Sequence, residues 1–194
     1  NASHELRTPL MVMRGGLTLL GKSDSKDFIE RQRTRMIHAC QEMEDYITTL
    51  LSLTRDEDTD NLSLREISES ELNLICSAHT DYRAKSSVMI EVVKQGVVYT
   101  KLPAPTLHIL LGNLVKNALS CTEEGMIRLV MDNDSIKVVD TGCGLEGKPT
   151  GESYGLGLMI VRDICAKYRC EFSLVGNEQV GCTATVVFPE TEEA

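Results

Sequence analysis

A histidine near the start of the chain has neighbours suited to nucleophilic chemistry. His4 precedes Leu6 by two residues. On a helix this is a rotation of about 200°, so His4 would face solvent while Leu6 faces a partner. Thr8 follows His4 by four residues and would share its exposed face. A neutral imidazole is a competent nucleophile, and the adjacent carboxylate of Glu5 could accept its proton. A solvated surface histidine fits the same pattern, and it is our interpretation of the other three histidines.

Two clusters in the second half of the chain have the chemistry of a nucleotide site. Asn113 and Asn117 are four residues apart, so both amides would project from one helix face. An amide oxygen is a suitable ligand for Mg²⁺. Asp140 directly follows a predicted strand, where its carboxylate could accept a hydrogen bond from an exocyclic amine such as that of adenine. Gly142 and Gly144 would let the backbone approach a ligand closely.

A third cluster opens a predicted helix. Gly155, Leu156 and Gly157 lie at its start, where unpaired amides and the helix dipole favour phosphate. Each cluster also has an ordinary structural explanation when it is taken alone: a polar helix face, a tight turn, or a glycine needed for packing. The evidence for a nucleotide site is therefore their occurrence together.

The histidine would be positioned by a helical hairpin over residues 1–56. Two runs of apolar residues have alternating steps of four and three, typical of a helical bundle. They are Leu6, Leu10, Met13, Leu17 and Leu20, then Met36, Cys40, Met43, Ile47 and Leu50. A turn-like stretch over 21–25 separates them. Because two helices cannot enclose a core, we expect a second copy to complete a four-helix bundle. The alternative is that the hairpin folds back on the rest of the chain.

The nucleotide clusters would be positioned by an α/β sandwich over residues 62–194, after a polar linker at 57–61. The pattern predicts one sheet with helices on one face. Predicted helices cover 69–82, 105–119 and 156–168, and predicted strands cover 88–93, 126–131, 136–139, 171–175 and 183–188. The predicted fold class is therefore α+β, a dimeric four-helix bundle followed by a sandwich domain.

Composition limits the partners of the chain. The net charge is −9, and all of it lies beyond residue 56, since acidic and basic residues balance before that point. An acidic surface repels nucleic acid and anionic membranes, so we expect neither as a direct partner. Seven cysteines without C-x-x-C spacing are typical of small buried residues in a reducing cytoplasm, more than of a disulfide framework or a zinc site. No apolar run approaches the length of a membrane span.

The motifs resemble those of one known family. The string Ser3-His4-Glu5-Leu6-Arg7-Thr8-Pro9-Leu10 closely resembles the phospho-acceptor box of sensor histidine kinases. The three later clusters, in order, resemble the N, G1 and G2 boxes of the ATP-binding domain of that family. That domain has a fold shared with type II topoisomerases and some chaperone and mismatch-repair ATPases. Gly181-Cys182-Thr183 resembles the final glycine box.

The resemblance implies specific roles. His4 would be phosphorylated, Glu5 would be the base that activates it, and Thr8 would orient the water that removes phosphate from a partner. Asn117 would bind Mg²⁺ and Asp140 would read adenine. The remaining ATP-binding positions would be Asn113, Gly142, Gly144, Gly155, Leu156, Gly157 and Thr183.

The resemblance also implies partners and a location. The homodimer would transfer its phosphoryl group to the receiver domain of a response regulator. Residue 1 lies almost on the first motif, so we expect this chain to be a cytoplasmic piece of a longer inner-membrane sensor, which would reach the membrane only through its other parts.

Departures from the family pattern leave two alternatives open. The family commonly has a basic residue and then an aromatic where this chain has Ser120 and Cys121. A phosphate-binding cation would then have to come from Lys116 or from the lid. The lid, 145–154, has ten residues and no phenylalanine, which predicts weaker ATP binding. The first alternative is therefore a regulatory module with a weak kinase step, acting as a phosphatase through Thr8 or as an interaction partner. The second is an ATPase of the shared fold.

Overall fold

The structure is a computed structural model that describes most of the chain. The described residues are 6–22, 25–54, 62–80, 87–145 and 156–189. Of the predicted site residues, His4, Glu5 and Gly155 lie outside them. So do the predicted linker, 57–61, and the predicted lid apart from its first residue.

The predicted hairpin is confirmed. Helix α1 spans Arg7–Leu20 and helix α2 spans Lys26–Thr54. The Cys40 thiol lies 3.0 Å from the Met13 sulfur across the helix pair. A Cβ at Gly16 would lie 2.7 Å from Cγ of Met36, so glycine lets the two helices approach closely. Predicted seam residues therefore hold the hairpin together.

Other apolar residues of the hairpin are not covered within one chain. Leu10 and Leu17 belong to the predicted seam, yet they are 53% and 66% exposed. The further exposed apolar residues of the hairpin are Met11, Leu19, Ile37, Ile47 and Leu51. A bundle that buries Leu10 and Leu17 needs helices from outside this chain.

The alternative packing of the hairpin is also present in part. Tyr46 of α2 is 1% exposed and belongs to the buried apolar cluster of the second domain. The partly buried Leu50 and Leu53 pack against the same cluster. The carboxyl-terminal half of α2 therefore folds back on the second domain, while its exposed apolar side chains remain available to another chain.

The second domain is a mixed five-stranded sheet covered by helices, as the pattern predicted. Its elements are β1 (Arg65–Glu66), α3 (Glu69–Thr80), β2 (Ser87–Lys94), β3 (Tyr99–Thr100), α4 (Ala104–Cys121), β4 (Glu124–Met131), β5 (Ser135–Asp140), α5 (Leu156–Tyr168), β6 (Glu171–Gly176) and β7 (Cys182–Val187). The strand order is β2-β4-β5-β7-β6. Strands β2 and β4 are parallel, and the other neighbours are antiparallel. A separate two-stranded sheet, β1 with β3, was not predicted.

Alternation along the strands explains how the site is oriented. Ile136 and Val138 of β5 are buried, and β4 and β7 contribute buried residues at the paired positions. Helices α4 and α5 pack on β5 and β6 and on each other. Since side chains alternate between the faces of a strand, Asp140 extends the row of Ile136 and Val138. The last residue of β5 thus directs its carboxylate toward the helix-covered side.

Candidate functional site

Asp140 is held in one orientation by backbone amides. It is 5% exposed. Its Oδ1 accepts hydrogen bonds from the Gly142 amide at 2.8 Å and the Cys182 amide at 3.2 Å. Burial raises the pKa of the Asp140 carboxyl, and the two amide hydrogen bonds partly oppose that rise. No described residue donates a hydrogen bond to Oδ2, so this oxygen is positioned to receive a donor from a ligand.

Glycines allow the loops around Asp140 to approach each other. A Cβ at Gly142 would overlap the carbonyl oxygen of Cys121 at the end of α4. Gly181 has a φ of +84°, and a Cβ there would overlap the carbonyl oxygen of Asp140. Gly144 has a φ of +74°, but a Cβ there would find its nearest atom at 3.8 Å. Gly142 is therefore required for packing, Gly144 for its backbone conformation, and Gly181 for both.

The asparagines of α4 lie beside the start of α5. Asn113 and Asn117 are both half-buried, as expected for one helix face. A Cβ at Gly157 would lie 3.0 Å from Oδ1 of Asn113, so the first turn of α5 packs closely on α4 at this point. The Asn113 side-chain nitrogen donates to the Ile109 carbonyl oxygen at 2.8 Å. Asn113 is thus partly committed to its own helix, which leaves Asn117 as the better candidate to bind a ligand.

Two other predicted ATP-binding residues have structural partners. Leu156 is fully buried, so only its backbone could contact a nucleotide. The Thr183 hydroxyl donates to Oδ1 of Asn177 at 2.7 Å. The side chains of Leu156 and Thr183 therefore pack within the protein next to the candidate site and are not directed at a ligand.

Asn177 is a site residue that the sequence analysis missed. Its side-chain nitrogen is 3.2 Å from the carbonyl oxygen of Asp140 and 3.2 Å from that of Val180. It connects the β6–β7 turn to the end of β5, directly behind the buried carboxylate. A polar turn residue gave no sequence signal for this role, because its partner is 37 residues away.

Lys116 does not supply a cation to the candidate site in this structure. Its ammonium group lies 2.7 Å from a carboxylate oxygen of Asp45 on α2. Nearby, the Lys167 ammonium donates to the Leu53 carbonyl oxygen at 2.8 Å. Both lysines therefore join the second domain to the hairpin, and the sequence-based suggestion that Lys116 binds phosphate is not supported by this arrangement.

The phospho-acceptor motif is only partly within the described residues. Thr8 lies in the first turn of α1 and is exposed, as its position on the predicted helix required. Pro9, the next residue, is buried.

The described residues contain neither a cluster suited to a metal ion nor a helix suited to a membrane. Across residues 6–22, 25–54, 62–80, 87–145 and 156–189, no group of three or more His, Cys, Asp or Glu side chains is arranged to hold a metal ion. None of the helices in that part of the chain combines the length and the apolar character needed to cross a membrane.

Two family models match the chain in tandem. Residues 1–59 match the His Kinase A (phospho-acceptor) domain. Residues 103–192 match the histidine kinase-, DNA gyrase B-, and HSP90-like ATPase domain. Together the matches cover most of the chain, and each falls on the region that the motifs indicated.

Curated relatives match this chain across both of these regions. The chain is 26% identical over 205 residues to the sensor protein CreC of Escherichia coli strain K12, covering 95% of this chain and 43% of CreC. It is 29% identical over 228 residues to the phosphate regulon sensor protein PhoR of Pseudomonas aeruginosa, covering 100% of this chain and 50% of PhoR. The chain spans about half the length of the curated relatives that it matches.

Solved structures show the same fold. The cytoplasmic segment of histidine kinase QseC matches with a TM-score of 0.62 and 22% identity, covering 80% of this chain and 93% of that one. Histidine kinase AdeS of Acinetobacter baumannii also matches with a TM-score of 0.62, at 16% identity, covering 96% of this chain and 98% of that one.

Proposed function

This chain belongs to the sensor histidine kinases, and from that premise we propose that it binds ATP in its second domain and phosphorylates His4. A ring nitrogen of His4 attacks the γ-phosphorus, the bond from phosphorus to the bridging oxygen of ADP breaks, and Glu5 accepts the imidazole proton. Transfer of this kind depends mainly on positioning and on neutralising phosphate charge. The phosphoryl group then passes to an aspartate on the receiver domain of a response regulator.

The observation that carries the proposal is the fixed carboxylate of Asp140. Two amides hold one oxygen, and the other has no described donor. An adenine ring supplies such a donor through its exocyclic amine, and guanine has a carbonyl at the corresponding position. This arrangement supports ATP as the nucleotide and supports Asp140 as the residue that selects it.

The phosphates would extend from Asp140 toward Asn117 and the start of α5. Backbone amides at that helix start favour anions. Asn117 is half-buried and lies one helical turn after Asn113, which packs against Gly157. Its amide oxygen fits a Mg²⁺ ion that takes its other ligands from phosphates and water. Bound Mg²⁺ would supply the charge neutralisation that Lys116, engaged by Asp45, does not provide here.

We propose that the active form is a homodimer. Leu10 and Leu17 are exposed in the single chain, and a second hairpin would bury them in a four-helix bundle. The bundle surface around His4 and Thr8 would be the docking surface for the response regulator. The whole protein would be an inner-membrane sensor with this part in the cytoplasm.

A second candidate function is a phosphatase or interaction module with a weak kinase step. The engagement of Lys116 by Asp45 favours it, since the phosphates lose one nearby cation. Ser120 and Cys121, at positions where the family has a basic residue and an aromatic, favour it further. Thr8 is exposed where it could orient a water. Measurable ATP binding without phosphohistidine would support this candidate.

The test is incubation of the chain with γ-labelled ATP and Mg²⁺. We expect an acid-labile, alkali-stable label that is absent from His4→Gln and Asn117→Ala. The matched control is His108→Gln, which changes an exposed histidine on the far side of α4 from Asn117, and it should keep the label. No label in the parent protein despite ATP binding would reject autokinase activity. Phosphate release that survives His4→Ala would instead indicate an ATPase.

A further inference from the structure

Three of the seven cysteines gather around Asp140. Cys121 ends α4, Cys143 lies in the loop after β5, and Cys182 begins β7. The Cys143 amide donates to the Cys121 carbonyl oxygen at 2.9 Å, and the Cys182 amide donates to Asp140. The cysteine pattern is typical of small buried residues, yet Cys143 is exposed and Cys121 is half-buried.

Cys121 and Cys143 are close enough to be bridged. A hydrogen bond of 2.9 Å between the Cys143 amide and the Cys121 carbonyl limits their Cα separation to at most about 6.8 Å by standard bond lengths. Disulfides span Cα distances up to about this value. The pKa of the Cys121 thiol is raised to about 11, mainly by burial and to a smaller extent by the neighbouring Cys143.

We propose that Cys121 and Cys143 form a reversible disulfide when the protein meets hydrogen peroxide, and that this bridge weakens nucleotide binding. The exposed Cys143 reacts first: its sulfur attacks a peroxide oxygen, the O–O bond breaks, and a sulfenic acid and water result. The Cys121 sulfur then attacks the Cys143 sulfur, the S–O bond breaks, and a second water leaves. Two thiols are oxidised and one hydrogen peroxide is reduced.

The effect on the nucleotide follows from the positions of the two cysteines. Cys121 lies four residues after Asn117, so both side chains project from the same face of α4. Gly142, beside Cys143, already packs against the Cys121 carbonyl without space for a Cβ. A disulfide would link the end of α4 covalently to the loop that carries the Gly142 amide. It would also place two bonded sulfur atoms beside the candidate adenine site. This last step rests on the proposed ATP site, whereas formation of the bridge does not.

The bridge is tested by treating the chain with hydrogen peroxide and mapping its peptides by mass spectrometry. We expect a loss of two hydrogen atoms and a crosslinked pair of peptides containing Cys121 and Cys143, reversed by dithiothreitol. Cys143→Ser should abolish that pair, and Cys40→Ser, which changes an exposed cysteine on the hairpin, should leave it intact. A map without this pair, with a bridge to Cys182 instead, or with only over-oxidised Cys143, would overturn the proposal.

The consequence is tested by calorimetry with ADP, comparing each protein with its own reduced form. We expect oxidation to weaken ADP binding at least about tenfold in the parent chain and in Cys40→Ser, and to have no such effect in Cys143→Ser. An unchanged affinity in the bridged parent would overturn the effect on the nucleotide. If the reduced parent itself does not bind ADP, the proposed ATP site fails together with this effect, and the bridge is judged by the peptide map.

Discussion

Replacing Asp140 with asparagine separates folding from nucleotide recognition. Asparagine keeps an oxygen at Oδ1, so the Gly142 and Cys182 amides retain an acceptor. A hydrogen bond to a charged group contributes about 1.5–3 kcal/mol and a neutral one about 0.5–1.5 kcal/mol, so the two bonds together lose roughly 2 kcal/mol. Relief from burying a carboxylate, whose pKa burial raises, offsets part of that loss. We expect the free energy of unfolding to fall by only about 1 kcal/mol.

Nucleotide binding should suffer more than folding. At the other position of the side chain, asparagine presents an NH₂ group where Asp140 presents an acceptor. The adenine amine would then face a second donor, so the hydrogen bond is lost and two buried donors are unpaired. We expect a loss of about 2–3 kcal/mol in binding, which is roughly 30- to 150-fold in Kd.

The assay pairs urea unfolding with calorimetric titration of ADP. Asp140→Ala is the comparison, because it removes both acceptors and leaves the Gly142 and Cys182 amides without a partner. It should lose about 3 kcal/mol or more of unfolding free energy, well beyond the asparagine variant. The reasoning is refuted if folded Asp140→Asn binds ADP within threefold of the parent chain, or if both variants lose the same stability.

Three further predictions concern acidity, the domain junction and the glycines. Burial raises the pKa of Asp140, so the folded state holds more protons just above the ordinary carboxyl pKa. The contribution of Asp140 to the free energy of unfolding should therefore fall as pH rises through that window and then level off. ADP affinity should instead fall as pH drops into the same window. Calorimetry at a series of pH values checks both effects, with Asp140→Asn as the comparison that lacks this titrating group. The Asp45–Lys116 pair joins side chains that are each about half exposed, so a double-mutant cycle by urea unfolding should give a coupling below about 1 kcal/mol, and a larger value would show that screening was overestimated. Gly181→Ala must accept both a positive φ and an overlap with Asp140, whereas Gly144→Ala must accept only the positive φ. Urea unfolding should show that Gly144→Ala loses about 1–2 kcal/mol of unfolding free energy and that Gly181→Ala loses more. Equal losses would contradict the role of the overlap.

Local pattern was sufficient to predict the longer elements and the position of Asp140. The heptad-like runs predicted α1 and α2, and the sequence pattern predicted β5 and β7 to within one or two residues. The sequence placed Asp140 at the end of a strand, whereas the direction of its carboxylate became clear only from the burial of Ile136 and Val138. The strands β1 and β3 have two residues each, which is too short for any periodicity to register.

Contacts between distant residues were beyond local pattern. Lys116 is 71 residues from Asp45, and nothing in the α4 sequence indicated that its charge would be taken by the hairpin. The parallel pairing of β2 with β4 was equally hidden, because α4 and β3 lie between them in the chain. The hydrogen bonds of Asn177, and the approach of Cys121 to Cys143, depend on the same long-range assembly.

The burial of Tyr46 determines which conditions should loosen the junction between α2 and the second domain. The Asp45–Lys116 pair at this junction joins half-exposed side chains and contributes little, whereas an aromatic side chain removed from water contributes about 1.5–3 kcal/mol. Such a joint is nearly indifferent to ionic strength, since the charges are the smaller part of it. It should weaken on cooling, because apolar association loses strength at low temperature. We therefore expect cooling, more than a change of salt concentration, to separate the hairpin from the second domain while each stays folded.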